Sequence, residues 1–229
     1  EYGRWAIYDG QRWAIDADGG IVRLGMQSAR GTYAEVLEAP TPAFAAAIAK
    51  HARQSESKRG LDAMISLARS APGITISQDA LDADRMVLGV QNGVVDLRTG
   101  KLGKAAREQY ITKQVATVFD PVATCPTWDQ FLMEITAGDL ELVGYLRRLV
   151  GYCLTGNTSE QIIAFLSGTS AKRKAITLVT LRTMLGAYAR QSPAETLLAR
   201  RDGGINNDVA RLRGARLVTC VETEDGKRL

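Results

Sequence analysis

A loop between a glycine and a lysine has a composition typical of phosphate binding. The segment 161–175, QIIAFLSGTSAKRKA, holds an apolar run at 162–166, a loop from Gly168 to Lys174, and the start of a helical pattern at 176–188. A buried strand, a loop and a helix with a lysine at its start form the layout of a P-loop. Backbone N–H groups and the helix N-terminus then hold a triphosphate, and the lysine reaches its outer phosphates.

This loop departs from the pattern GxxxxGK(S/T) at two positions. Arg173 stands where a glycine normally lets the backbone approach phosphate, and Ala175 stands where a hydroxyl normally binds Mg²⁺. Taken alone, the loop fits two interpretations: a degenerate phosphate-binding loop, or an ordinary core strand that enters a basic loop.

An acidic pair near the end of the sequence supports the first interpretation. The apolar run 215–221 has the length of a strand, and Glu222 and Glu224 come directly after it. An acid at the end of a buried strand, some fifty residues after the lysine, is what a Walker B element requires. Its carboxylate orders Mg²⁺ next to the β- and γ-phosphates. The two segments together predict a nucleoside triphosphatase core.

Composition narrows the class of protein. The 229 residues are enough for one large or two small domains, and the apolar fraction of 45% and charged fraction of 24% are ordinary. The net charge of +4 is compatible with nucleic acid. Cys125, Cys153 and Cys220 are widely spaced, and His51 is the single histidine. We therefore expect no disulfide framework, zinc site or histidine-based catalysis, and a reducing cytoplasm. No apolar run reaches membrane-spanning length.

The elements before the loop are predicted from turn signals and apolar spacing. We expect a short hairpin around Asp9-Gly10, helices in the three segments 21–38, 42–53 and 56–70, and a second hairpin around Asn92-Gly93 with a further turn at Thr99-Gly100. Two more helices are expected after these: one capped by Thr127, and one over 139–154 that ends at Thr155-Gly156-Asn157.

Two features of the first 70 residues are open to more than one interpretation. Trp5 and Trp13 fit packing on each other or on the core better than stacking on bases. The basic residues of the helical block fit a solvated face better than a phosphate-contacting patch; they are Arg53, Lys58, Arg59 and Arg69.

The order of motifs resembles that of the phage and plasmid primase-helicases. The motifs that carry the resemblance to their linker region are NGVVDLRTGKL (92–102), YITK (110–113), FDP (119–121), CPTWDQFL (125–132) and GDLELVGYLRRLVGYCLTGNTSEQ (138–161). The tail 185–229 resembles the same proteins up to their Walker B strand. The resemblance implies a superfamily-three helicase, an ATP-driven ring motor that unwinds DNA at a mobile-element origin and is often fused to a primase.

Carried over by position, the resemblance implies a site for ATP and Mg²⁺. The expected cofactor-binding residues are Gly168, Thr169, Ser170, Ala171, Lys172, Arg173, Lys174 and Ala175. Lys174 is the expected catalytic lysine, Glu222 the expected Mg²⁺ ligand, and Glu224 a weaker candidate for polarising the attacking water. Ser170 and Arg173 stand where the family normally has glycines, so the Walker A loop is degenerate.

The expected architecture is a mostly helical α+β linker domain at 1–155, with the first part of an AAA-like α/β P-loop domain at 156–229. One hypothesis for function is an ATP-dependent helicase fragment; the other is a non-catalytic DNA-binding or oligomerisation module. An unrelated P-loop kinase is disfavoured because no substrate lid is identifiable. Expected partners are single-stranded or origin DNA, with no membrane. We expect a homo-oligomeric ring for the full-length protein and a monomer or loose dimer for this fragment, which would lack the sensor and arginine finger.

Overall fold

Two compact units make up the chain. The computed structural model describes residues 3–168, 170–193, 196 and 207–221. One unit consists of Glu1–Asp9 with Trp13–Leu81, and the other of Gly10–Arg12 with Asp82–Leu229. The domain division at about residue 155 rests on the motifs in the sequence and stays a prediction.

The first unit is a hairpin and a set of helices, as predicted. Its elements are β1 (Ala6–Tyr8), β2 (Trp13–Ile15), α1 (Gly20–Gly31), a 3-10 helix (Thr32–Glu38), α2 (Pro42–Ser55) and α3 (Lys58–Ala68). The two strands pair antiparallel. His51 is exposed on α2.

Local capping chemistry sets the starts of α2 and α3. The Thr41 hydroxyl accepts a hydrogen bond from the Phe44 amide at 3.2 Å, and Pro42 occupies the first turn. The Ser57 hydroxyl accepts from the Gly60 amide at 3.1 Å. Side chains that accept from the first amides of a helix satisfy donors that have no partner within the helix.

The two tryptophans of the first unit are half-buried. The Trp13 ring lies 5.6 Å from the ring of Tyr8, and the Arg69 guanidinium lies 5.8 Å from the Trp5 ring centroid. An arginine over an indole face is a favourable cation–π arrangement. Both rings thus contact side chains of their own unit, Tyr8 and Arg69, which agrees with the packing interpretation.

The second unit combines antiparallel and parallel strands with helices. Its elements are β3 (Val87–Val90), β4 (Gly93–Asp96), β5 (Lys101–Gly103), α4 (Pro126–Ile135), α5 (Leu140–Thr155), α6 (Ala171–Leu185), β6 (Ala189–Pro193), α7 (Asn207–Ala210) and β7 (Leu217–Val221). Strands β3, β4 and β5 form one antiparallel sheet, whereas β6 and β7 pair parallel. This mixture of helix and sheet confirms the expected α+β class.

The β3–β4 turn lies one residue earlier than predicted. Val90 pairs with Gly93, so the two turn residues are Gln91 and Asn92. The Asn92 side-chain amide exchanges two hydrogen bonds of 2.9 Å with the main chain of Phe119. Gly93 opens β4 with a φ of 147°, and a Cβ there would lie 2.3 Å from the Gly103 carbonyl oxygen. The positive φ and the close approach of β5 therefore both require this glycine.

The helices α4 and α5 differ in how well their bounds were predicted. The predicted cap at Thr127 is wrong: Cys125 precedes α4, and Pro126 takes the first helical position, which suits its missing N–H. The Asp139 carboxylate caps α5 by accepting from the Leu142 amide at 3.0 Å. Gly156 ends α5 in the left-handed conformation, as the turn signal predicted.

A hydrophobic core packs the sheet and helices of the second unit together. Its buried residues come from the antiparallel sheet, the loop after it, the end of α6 and the start of β6; they are Leu88, Val90, Val95, Val115, Leu185, Tyr188 and Ala189. Leu154 at the end of α5 and Leu217 in β7 pack against this core. Within the described residues, no helix combines the length and the apolar character needed to cross a membrane.

Candidate phosphate-binding loop

The apolar run 162–166 is not the buried strand that the sequence predicted. It has no regular secondary structure, and its large side chains face solvent, with Ile163 at 63% and Phe165 at 72% exposed. Within the described residues, only β6 and β7 pair in parallel, and neither of them pairs with this run. A strand needs a neighbour for its main-chain groups, and an apolar run does not specify one.

The helix after the loop begins earlier than predicted. Ser170 caps α6, and its hydroxyl accepts from the Arg173 amide at 3.3 Å. Residues 171–175 are therefore helical, and the non-helical part of the loop ends at Ser170. The Lys174 ammonium folds back and donates to the Gly168 carbonyl oxygen at 2.8 Å.

These contacts limit what the loop offers to a phosphate. The first amides of a helix are the donors that hold an anion at its N-terminus, and Ser170 already occupies the amide of Arg173. Ala175 has no oxygen for Mg²⁺. Thr177 carries the next hydroxyl, but that hydroxyl donates to the Arg173 carbonyl oxygen at 3.0 Å within the helix. The Lys174 ammonium has two further N–H donors, and these remain available to a phosphate at the loop.

The charge at this loop is positive. Lys172 and Arg173 are exposed and Lys174 is half-buried. In the part of the chain that the structure describes, none of the three forms an ion pair with a carboxylate. A cluster of this kind attracts phosphate through its field even where the cradle of backbone amides is incomplete.

The structure brings together only part of the predicted site. Gly168, Ser170 and Lys174 lie in contact at the start of α6. Thr169, Glu222 and Glu224 lie outside the described residues, although β7 ends at Val221, directly before the first acid. The pairing of Lys174 with Glu222 therefore stays a prediction. Among the described residues, no group of three or more His, Cys, Asp or Glu side chains could hold a metal ion.

An arginine that sequence reasoning missed anchors β7 to the rest of the unit. The Arg216 guanidinium donates to the carbonyl oxygens of Leu154 at 2.5 Å and Val87 at 2.7 Å. It also lies 4.4 Å from the Tyr188 ring centroid. Burial lowers the pKa of Arg216. The arginine therefore joins the end of α5, strand β3 and the start of β7.

Tyr188 is the second part of this anchor, and its side chain is 1% exposed. Its hydroxyl accepts from the Gly89 amide at 3.1 Å and donates to the Lys113 carbonyl oxygen at 2.9 Å. Burial raises the pKa of Tyr188. The neutral hydroxyl thus satisfies two main-chain groups that no strand ladder pairs.

A second basic feature lies beside β6. A solvent-facing cleft of about 120 Å³ is lined by Arg190, Gln191, Ser192, Pro193, Arg211 and Leu212. Sequence reasoning missed it because its arginines lie about twenty residues apart. A signal was nevertheless present: ten of the 29 Lys and Arg residues, but three of the 25 Asp and Glu residues, fall between positions 170 and 221.

The comparison with protein families covers the part of the chain before α5. The family model described as "D5 N terminal like" matches residues 1–137. No curated protein matches the chain. The match covers more than half of the sequence and includes four of the motifs that carry the resemblance, from 92–102 to 125–132. The chain therefore belongs to the D5 N-terminal-like family, the N-terminal domain of a primase-helicase family of phage and viral replication.

Proposed function

We propose that this chain is part of a phage or plasmid DNA replication protein, an ATP-dependent DNA helicase associated with a primase. The observation that carries the proposal is the family match over residues 1–137. The elements beyond residue 137 support it: a glycine turn, a helix that begins with basic residues, and a pair of parallel strands ending before two acids. In this proposal, residues 156–229 belong to the ATPase domain of the family, whose cofactors are ATP and Mg²⁺, and the degenerate loop of this chain binds them weakly.

The partner in this proposal is DNA, as a single strand or an origin, in the cytoplasm of the host cell. The full-length protein forms a ring of identical subunits. The excess of Lys and Arg after position 170 supports the DNA part, since neutralising phosphates releases counterions and drives binding without sequence preference.

Fluorescence anisotropy with a labelled single-stranded oligonucleotide tests this part. We expect binding in about 50 mM salt that weakens steeply as salt is raised, because its free energy comes from counterion release. Affinity that does not change with salt would remove the electrostatic basis. No binding at the lowest salt concentration would contradict a DNA role for these residues.

A second candidate function is a non-catalytic DNA-binding or oligomerisation module with an inactive loop. The hydrogen bond from the Arg173 amide to Ser170 and the contact of Lys174 with Gly168 favour it, since both use donors that a phosphate would need. A phosphate-release assay, run with light scattering and with or without single-stranded DNA, separates the two candidates. DNA-stimulated turnover or a stable hexamer would favour the motor, whereas the absence of both would favour the non-catalytic module.

A further inference from the structure

We propose that the cleft beside β6 is a phosphodiester-binding site for single-stranded DNA, separate from the loop at Gly168–Lys174. Its two cations are Arg190, which β6 positions, and Arg211, in the turn after α7. The proposal deepens the DNA role given above and rests on it for the identity of the polymer.

The lining of the cleft includes hydrogen-bond donors suited to an oxyanion. Arg190 donates one hydrogen bond to the carbonyl oxygen of Ala189 at 3.0 Å, and most of its five N–H groups remain available. Arg211 is exposed. In the described part of the chain, neither guanidinium forms an ion pair with a carboxylate. Planar guanidinium groups bind phosphate oxygens in pairs, which makes arginine well suited to this ligand.

Gln191 adds a polarised amide to the same cleft. Its Oε1 accepts a hydrogen bond from the Arg182 guanidinium. Because its acceptor is occupied, the amide contributes its NH₂ donors to the surroundings. The Ser192 hydroxyl donates its hydrogen bond to Thr196 Oγ1 at 2.9 Å. It is therefore not available as a donor to a phosphate.

The openness and the charge of the cleft favour a polymer backbone over a small enclosed ligand. Among the described residues, no Asp or Glu lines it, and arginine, glutamine and serine make up most of its wall. Small-molecule sites are mostly apolar and bury most of the ligand. A basic groove open to solvent instead tracks the backbone of a single strand.

The test is the salt dependence of single-stranded DNA binding by the 229-residue chain and three double variants. Arg190→Gln with Arg211→Gln removes both cations. Arg190→Lys with Arg211→Lys keeps the charges but loses the paired geometry. Arg59→Gln with Arg148→Gln is the control, since both residues are exposed helical arginines that lie outside the cleft. Circular dichroism melts show that each variant is folded.

We expect the glutamine pair to lower the slope of log K against log salt by about 1.4, since each phosphate contact to a single strand contributes about 0.7. If the affinity at about 1 M salt is unchanged, this slope corresponds to a loss of affinity of about 65-fold at about 50 mM salt. The lysine pair should retain the slope and lose affinity by a few-fold. A slope for the glutamine pair equal to that of the control pair would overturn the proposal and leave a DNA role elsewhere on the chain intact.

A second arm uses inorganic phosphate and pyrophosphate in place of DNA, with binding measured by chemical-shift changes in NMR spectra. If the chain binds no DNA but pyrophosphate binds and the glutamine pair abolishes this, the cleft is a site for free phosphates and the DNA role fails. If neither probe depends on the two arginines, the cleft is not a phosphate site. The two failures are thereby distinguishable.

Discussion

Replacing Arg216 by methionine should strongly destabilise the second unit. The guanidinium supplies the hydrogen bonds to the Leu154 and Val87 carbonyl oxygens and lies over the Tyr188 ring. Methionine has a similar length and packs well on an aromatic ring, so the variant removes the hydrogen bonds and the charge but keeps much of the volume.

The change in the free energy of unfolding depends on two opposing effects. Hydrogen bonds from a charged donor contribute about 1.5–3 kcal/mol each, so the two bonds together contribute about 3–6 kcal/mol. Removing Arg216 also removes the cost of burying its charge, which the lowered pKa of this arginine reflects. We expect the free energy of unfolding to fall by about 2–4 kcal/mol, because the carbonyl left at the end of α5 stays without a donor.

Urea denaturation monitored by circular dichroism measures the change. With a slope of about 2 kcal/mol per molar urea, the midpoint should fall by roughly 1–2 M. Arg211→Met is the matched control, since Arg211 is exposed and precedes Arg216 in the same segment; it should change stability by less than about 0.5 kcal/mol. Equal midpoints for the two variants would refute the role of Arg216 as an anchor.

Three further predictions concern the loop, a surface ion pair and a buried hydroxyl. ATP–Mg²⁺ should bind with a dissociation constant of about 1 mM or weaker, and Arg173→Gly with Ala175→Ser should tighten it; calorimetric titration would show this, and micromolar binding by the unchanged chain would contradict it. Asp84 has a pKa lowered by its contacts with Arg98, so its stabilising contribution is present above pH 3.8 and is lost as pH falls through the lowered pKa. Melts of Asp84→Asn and the unchanged chain should therefore differ at neutral pH and converge in acid; a pH-independent difference would refute this. Tyr188→Phe should cost about 2–3 kcal/mol in urea unfolding, because its hydroxyl joins two main-chain groups, and no loss would mean that water replaces it.

Local chemical signals predicted much of the fold. The predicted bounds of α5 agree with the structure, because the cap at Asp139 and the end at Gly156 involve only neighbouring residues. The hairpin signal at Asn92-Gly93 located the β3–β4 pair but misplaced its turn by one residue. The position of this turn depends on two contacts, of Asn92 with Phe119 and of Gly93 with β5. Both contacts join segments that are distant in the sequence, so the residues around the turn do not predict them.

Contacts between distant segments account for what the sequence did not predict. The run 162–166 has the composition of a buried strand but lacks a pairing neighbour among the described residues. Strand β6, ARQSP, has almost no apolar character and forms because β7 pairs with it. Arg216 gave no sequence signal, since one arginine before an apolar run is common. In the loop, the helix cap formed by Ser170 was not predicted.

The most direct test of the proposed DNA role is a titration of labelled single-stranded DNA with the 229-residue chain, with and without ATP–Mg²⁺. The degenerate loop and the basic segment after position 170 predict salt-sensitive binding that is the same in both conditions. Identical affinities that fall steeply with salt would support the conclusion that the chain binds DNA through phosphate contacts and does not need bound nucleotide to do so. Binding that requires ATP–Mg²⁺, or no binding even at low salt, would contradict it.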